Sequence, residues 1–438
     1  VAGTFDSGTV DLGYHYNTAA PLIPEKLYVA TTGSDANDGL TDSAPLKSIT
    51  KALALAGDQT VIQIALGRYS TGTTGETFPL ALNRRYGLEM IGAPDGGTII
   101  DATGSNMRVM TALDCGGLCF SNLIFTGGHE TTAQTIGIYG GGVRLERIAD
   151  TIISHCQITN NFCNKAGGAQ NHAYGGGLAI GVCADVTVEN TVVSGNRTFT
   201  NWGYTYGEGV CILDRCRVLL NHSRLTDNYG TTPCNGNLGG GLYISGTRTT
   251  TQVKNCLIAR NSTVKPKGQG DGVYVTGAAV SLQNCTIAYN CGYGLYRKDG
   301  TVSLKDSILW GNGDDINGST TLLNCNVEDG DSVGASGCIS QDPKFKAGFY
   351  LATDSLSVDH GSATAASLGM DTLTTQTDGT LDRGLVDLGY HHDAGAGTVI
   401  EAFYVAPTGS DTANTGLTAG SPFRTISHAL AVSQDGTQ

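Results

Sequence analysis

The sequence predicts an all-β chain wound into a parallel β-helix, a solenoid whose coils each add short strands to stacked sheets. One phrase recurs between Gly140 and Asn326: a glycine cluster, an apolar run, a second run, and a polar stop ending in Asn. The clusters are Gly140-Gly141-Gly142, Gly175-Gly176-Gly177, Gly207-Glu208-Gly209, Gly239-Gly240-Gly241, Gly270-Asp271-Gly272 and Gly292-Tyr293-Gly294. Counted on the third position they step by 35, 32, 32, 31 and 22 residues. Self-similarity at such a period marks a solenoid. The second observation is local: apolar residues alternate over four to six positions (Val186, Val188; Val302, Leu304), Val, Ile and Tyr are abundant, and helical spacing is absent.

Composition agrees. Of 438 residues, 40% are apolar, 15% are charged and 63 are Gly, a low-charge, turn-rich balance suited to β repeats. The net charge of -13 and the lack of a basic stripe exclude a nucleic-acid partner. No apolar run approaches the length of a membrane-spanning helix.

The elements follow in order. Pro45 to Ala56 places Ile49, Ala52, Leu53 and Ala56 at helical spacing, with Pro45 in the first turn, and predicts a helix that caps the open apolar end of the stack. Strands are expected at Val61 to Ala65, Leu88 to Ile91, Thr98 to Ile100 and Leu118 to Phe125. In the coils beyond, a small residue fills one position of each second half: Cys156, Thr191, Ser223, Cys256, Cys285 and Ser307. These six predict an inward column. The stops at Asn161, Asn196, Asn228, Asn261, Asn290 and Asn312 predict turns that tolerate a left-handed backbone. Coils of about 22 residues would stack ~4.8 Å apart, and the longer ones would carry a loop of about ten residues on one side. After Cys325 the phrase lapses, and Cys338 to His392 reads as a loop-rich closing segment, its Tyr-His-His end, like His15, packing an edge.

A longer repeat overlies these coils. Gly3-Thr4-Phe5-Asp6 through Leu12-Gly13-Tyr14-His15 returns as Gly379-Thr380-Leu381-Asp382 through Leu388-Gly389-Tyr390-His391. Leu27-Tyr28-Val29-Ala30 and Gly33-Ser34-Asp35 return as Phe403-Tyr404-Val405-Ala406 and Gly409-Ser410-Asp411. The expected division is the end of one unit and a linker (1–25), a complete unit (26–392), a linker (393–402) and the start of the next unit (403–438), an excerpt of a tandem array.

Tyr28-Val29, Gly33-Ser34-Asp35, Asn37-Asp38-Gly39, Pro45 and Ile49 at the start of this unit carry a family likeness. So do Asp342-Pro343-Lys344-Phe345, Ser357-Val358-Asp359-His360-Gly361, Asp378-Gly379, Arg383-Gly384 and Val386-Asp387-Leu388-Gly389-Tyr390 at its close. Over nearly the whole unit the chain resembles right-handed parallel β-helix domains of the pectate-lyase-like superfamily in secreted bacterial proteins. The resemblance implies a right-handed solenoid at a cell surface or outside the cell. Its lyase members imply a Lys or Arg base beside calcium-binding carboxylates, and no such cluster stands in register here.

The candidate chemistry is sparse. Glu208 and Asp271 share the middle column of the glycine clusters, two coils and ~10 Å of backbone apart, a spacing open to paired carboxylates of an inverting hydrolase or to two exposed turn acids. Trp202, Tyr204 and Tyr206 crowd one inserted loop, suited to sugar or partner contact or to packing on the wall. Asp35 and Asp38 offer hard oxygens for calcium or Asx turns without metal. Cys183 and Cys216 are expected above one another on neighbouring coils, within disulfide reach, with Cys115–Cys119 and Cys163–Cys234 as weaker pairs. Glycosylation sequons at Asn196, Asn221, Asn261, Asn284 and Asn317 partly coincide with structural positions. The leading expectation is a structural repeat unit of an extracellular fibre, sheath or surface adhesin whose partners are copies of itself; the alternative is a carbohydrate-active enzyme or sugar-binding module.

Overall fold

The computed structural model describes residues 23–94, 96–131, 138–165, 172–201, 203–231, 236–263, 270–395, 404–414 and 420–432. It is a right-handed parallel β-helix with three walls. The first wall holds eleven parallel strands, from Lys26–Val29 and Val61–Ile64 to Thr321–Leu323; the second holds ten, from Gly67–Ser70 to Asn326–Val327; the third holds nine, from Leu80–Asn83 to Asp314–Asn317. Each coil visits the walls in that order. Residues one coil apart stand in register, so Ile153, Val188, Leu220, Val253, Leu282 and Leu304 form one inward column, and all are buried. A side-chain period of two allows this only if every coil keeps its register, since a one-residue slip would turn the column outward.

The cap forms, with a shifted start. Helix α1 spans Ile49–Leu55, Ser48 is its N-cap through Oγ to Lys51 N, and Ile49, Ala52 and Leu53 are buried against the first coils. Pro45 lies before the helix, where its carbonyl accepts from Ser34 N (3.0 Å) and Asn37 Nδ2 (2.8 Å). The buried carboxylate of Glu76 closes the remaining amides, accepting from Ile49 N (2.8 Å), Thr50 N (2.9 Å) and the Thr50 hydroxyl (2.6 Å). The expected strand over Leu118 to Phe125 is two, Cys119–Ser121 and Ile124–Thr126, because left-handed Asn122 (φ 56°) turns the chain between walls.

The small column is inward as expected: Cys156, Thr191, Ser223, Cys256, Cys285 and Ser307 are buried at the corner between the first and second walls. At the next corner the left-handed residue is one place earlier than the sequence reading has it. Asn160, Gly195, Asp227, Arg260, Tyr289 and Gly311 take positive φ, which frees the following Asn to point inward. Each Asn then donates Nδ2 to the Oδ1 of the next, Asn161 to Asn196 to Asn228 to Asn261 to Asn290 to Asn312, at 3.0 Å in every step.

The glycine clusters are read off the same corner. The first Gly (Gly140, Gly175, Gly207, Gly239, Gly270) is left-handed, with φ between 61° and 75°. At the third position, a Cβ on Gly177, Gly209 or Gly241 would meet a ladder amide at 2.8 Å, so only glycine fits.

The inserted loops are more regular than predicted. They form two further parallel sheets that project as a fin: five outgoing strands (His129–Glu130, Phe162–Lys165, Arg197–Thr200, Tyr229–Gly230, Ser262–Thr263) and four returning ones (Ile138–Tyr139, Ala173–Tyr174, Tyr204–Tyr206, Gly236–Leu238). The closing segment, as expected, abandons the coils. It lies along the outer face of the second wall, where Phe349 and Tyr390 cover Leu257, Ala259 and Ala288 while Leu351 and Leu388 cover Ile308. Among the described residues, no helix is long and apolar enough to cross a membrane.

Candidate functional site

The fin brings together four of the residues singled out by sequence, Tyr204, Tyr206, Glu208 and Asp271. Its interior is largely polar: alternate positions of its strands bury Glu130, Lys165, Thr198, Thr200, Thr205 and Asn237 beside a small apolar cluster of Ile138, Cys163 and Ala173. At its base Arg108 pairs with Glu130 at 2.9 Å and also donates to the Tyr139 carbonyl. Glu208 and Asp271 enter this interior from the third-wall corner, and both are fully buried. They are neither exposed turn acids nor a pair lining a cleft. Asp271 accepts from the Thr263 hydroxyl (2.9 Å). The Thr205 hydroxyl lies 2.7 Å from Glu208 Oε1 and 2.6 Å from Asn237 Oδ1. That hydroxyl has one proton, so it donates to only one of the two oxygens at a time. Burial pushes Glu208 up to about 8 and Asp271 up to about 6, in the same sense.

Trp202 lies outside the described residues. Tyr206 belongs to a ladder on the outer face of the returning fin strands, Tyr139 on Tyr174 on Tyr206, each step 4.7 Å between centroids and 8° between planes. Tyr206 then meets Tyr243 edge-on at 4.9 Å, and Tyr243, Tyr274 and Tyr296 stack down the third wall. The ladder ties fin to wall. Its ring faces are occupied by one another, so it turns edges and hydroxyls outward rather than a sugar-stacking face. Tyr204 sits at its rim beside His172 (6.0 Å) and is 38% exposed. Next to the ladder, Tyr139, Arg144, Glu146, Ala179, Val182 and Asp214 line a surface groove of about 230 Å³.

Cys183 and Cys216 stack as expected, with Cys183 N 3.4 Å from Cys216 Sγ, yet both are free thiols. Inward side chains on parallel neighbours keep the ~4.8 Å strand spacing, longer than the 3.5–4.5 Å Cβ separation of a disulfide, so about a hydrogen bond's length remains between the sulfurs. Cys115, Cys119 and Cys163 are free as well, and Cys234 lies outside the described residues. Of the sequon residues, Asn196, Asn261 and Asn284 are buried and serve the corners.

The calcium candidates serve the cap. Asp35 accepts from Lys47 N, Ser48 N (both 2.9 Å) and the Ser48 hydroxyl (2.7 Å), and Asp38 accepts from Leu40 N in an Asx turn. The acids that do converge are in the closing segment: Asp359, Asp382 and Asp387 each bring a carboxylate oxygen within 4.8 Å of the others. Asp382 and Asp387 are buried there, and burial with the charge of Asp382 raises the Asp387 carboxyl. His391, read as edge packing, is fully buried with Nε2 2.7 Å from Asp382 Oδ2.

Three parallel walls, an asparagine-laddered corner and a fin over the third wall define a right-handed parallel β-helix. The family described as "Protein of unknown function (DUF1565)" matches residues 31–262, more than half of the chain, and the chain belongs to that family. The pattern described as "Right handed beta helix region" matches residues 237–347. Among solved structures, the chain is similar to pectate lyase Pel9A at 14% identity and a TM-score of 0.46, covering 83% of this chain and 96% of that one. An alginate lyase from Paenibacillus sp. str. FPU-7 is 11% identical with a TM-score of 0.37, covering 68% and 99%. A rhamnogalacturonan lyase is 14% identical with a TM-score of 0.37, covering 68% and 87%. At these identities the likeness concerns fold alone. No curated protein matches the chain in sequence.

Proposed function

We propose that the chain is a structural repeat unit of an extracellular tandem array of β-helices, acting as a rod-like segment of a fibre, sheath or surface adhesin. The observation that carries this reading is a clamp that occurs twice. Asp411 accepts from Arg424 N (2.7 Å), Thr425 N (3.0 Å) and the Thr425 hydroxyl (2.7 Å), as Asp35 accepts from Lys47 and Ser48. Asn414 Nδ2 holds the Pro422 carbonyl (2.7 Å) as Asn37 holds Pro45 (2.8 Å), and a helix of seven residues follows each clamp. The same capped start is thus written twice, which supports units joined in series. Electron microscopy of the purified tandem protein tests this: beaded or rod-like chains with a regular axial repeat are expected, and compact globules would overturn the reading.

The groove beside Tyr139 and Arg144 favours a second reading, a polysaccharide-binding module. Its lining, the Arg144–Glu146 ion pair, Asp214 and the Tyr139 phenol among apolar neighbours, offers hydrogen-bond partners for sugar hydroxyls. Affinity electrophoresis against neutral and acidic polysaccharides, with Arg144→Ala as control, decides it. Retardation lost in the variant supports binding, and mobility unchanged on every polysaccharide rules it out.

A further inference from the structure

We propose that Asp359, Asp382 and Asp387 form a calcium site that fastens the closing segment to the solenoid. The three carboxylates come from separate points of the segment, and their nearest oxygens lie within 4.8 Å of one another, a span that one ion with Ca–O distances of about 2.4 Å bridges. Asp387 Oδ1 accepts from Asp359 N (2.7 Å), and its Oδ2 takes the Thr375 hydroxyl. Asp382 Oδ2 accepts from Asp387 N (2.9 Å) and meets His391 Nε2.

Asp382 Oδ1 is the telling atom. The residue is 4% exposed, and this oxygen has no hydrogen-bond partner among the described residues. A buried carboxylate oxygen left bare costs free energy unless something positive meets it. With Oδ2 already engaged twice, Oδ1 is the oxygen free for a cation. Three carboxylates this close also repel one another, and among the described residues the one basic side chain bonded to them, His391, offsets at most one charge.

The donor set selects the ion. All three ligands are hard oxygens on irregular backbone, which suits the flexible coordination of Ca²⁺ better than the strict octahedron of Mg²⁺. The histidine is already spent, since Nδ1 lies 3.0 Å from the Gly389 carbonyl and Nε2 on Asp382, so it orients a ligand instead of serving as one. Asp359 is exposed and opens the cluster to solvent, giving the ion and its waters a way in. The strand-like run from Asp387 to His391 is hydrogen-bonded to the coils through Asn255, Asn284, Thr286 and Asp306, so an ion held here pins that run to the second wall.

The experiment is calorimetric titration of calcium chloride into the chelator-stripped 438-residue chain, paired with thermal melts with and without calcium. One calcium per chain and a melting point that rises with calcium are expected. Asp359→Asn, a change at an exposed position that leaves packing intact, should weaken binding at least ten-fold, while Asp35→Asn should leave it unchanged. Absence of a binding heat, or binding lost in Asp35→Asn and kept in Asp359→Asn, overturns the site.

Discussion

Glu208 shows how a single side chain can make this fold sensitive to pH. Its carboxyl is raised from the ordinary range near 4.5 to about 8, so the folded chain holds the proton more tightly than the unfolded chain does. The sign follows: the contribution is fully present below pH 4.5 and is lost as pH rises through about 8. The loss is on the order of a few kcal/mol at about 1.4 kcal/mol per pKa unit. Urea midpoints should therefore fall between pH 5 and pH 9, and Glu208→Gln, which keeps the hydrogen-bonding shape, should remove most of that fall. Asn228 makes a second residue-scale prediction. It donates to the Val193 carbonyl (3.0 Å) and to Asn261, and accepts from Asn196 N (3.0 Å) and Asn196 Nδ2. Asn228→Ala would strand buried partners on two coils and should cost roughly 3 kcal/mol in equilibrium unfolding.

Part of this was legible in the sequence and part was not. The recurring Asn could be seen, but its role could not, because Asn suits both a left-handed turn and an inward ladder; only the residue before it, as varied as Asp227, Arg260 and Tyr289, reveals which. The tyrosine ladder did leave a signal. Tyr139, Tyr174 and Tyr206 each stand one place before a glycine cluster, and Tyr243, Tyr274 and Tyr296 each stand two places after one. The closing acids left a partial one: Asp6 and Asp11 return as Asp382 and Asp387 in the long repeat, but nothing in the sequence joins them to Asp359, which they meet only in the folded segment.

At the scale of elements, α1 and the fin are additions to a uniform stack, and each depends on a few polar anchors. The start of α1 hangs on Glu76, which meets three donors at once. Glu76→Ala should lower stability by roughly 2 kcal/mol. It should also raise amide exchange at Ile49–Leu55 well before the coils beyond Met110 respond, as hydrogen-exchange mass spectrometry would record. The helix itself was predictable from its apolar spacing, but its first residue was not, because Asp35 and Glu76 set it across separations of 13 to 27 residues that no local pattern encodes. The fin was read as loops for a like reason: its strands are two to four residues long, too short to show a period, and are held by stacking on their neighbours.

At the scale of the molecule, eleven coils at ~4.8 Å make a rod about 50 Å long, before the cap and closing segment are added. Small-angle scattering of the chain should give a cross-section and length consistent with that cylinder. Each inner column runs nearly its whole length, so stiffness comes from repeated short contacts rather than from one large core.

The lid that α1 places over the first coils has a mechanical consequence. In the proposed tandem array, a bare solenoid end would let the next module continue its sheets and fuse with it into one seamless beam, whereas a covered end would oblige modules to meet side-chain to side-chain. Bending of such an array would then be confined to the junctions, and a module that melted would leave its neighbours standing. A series built this way flexes like a jointed chain and fails one link at a time.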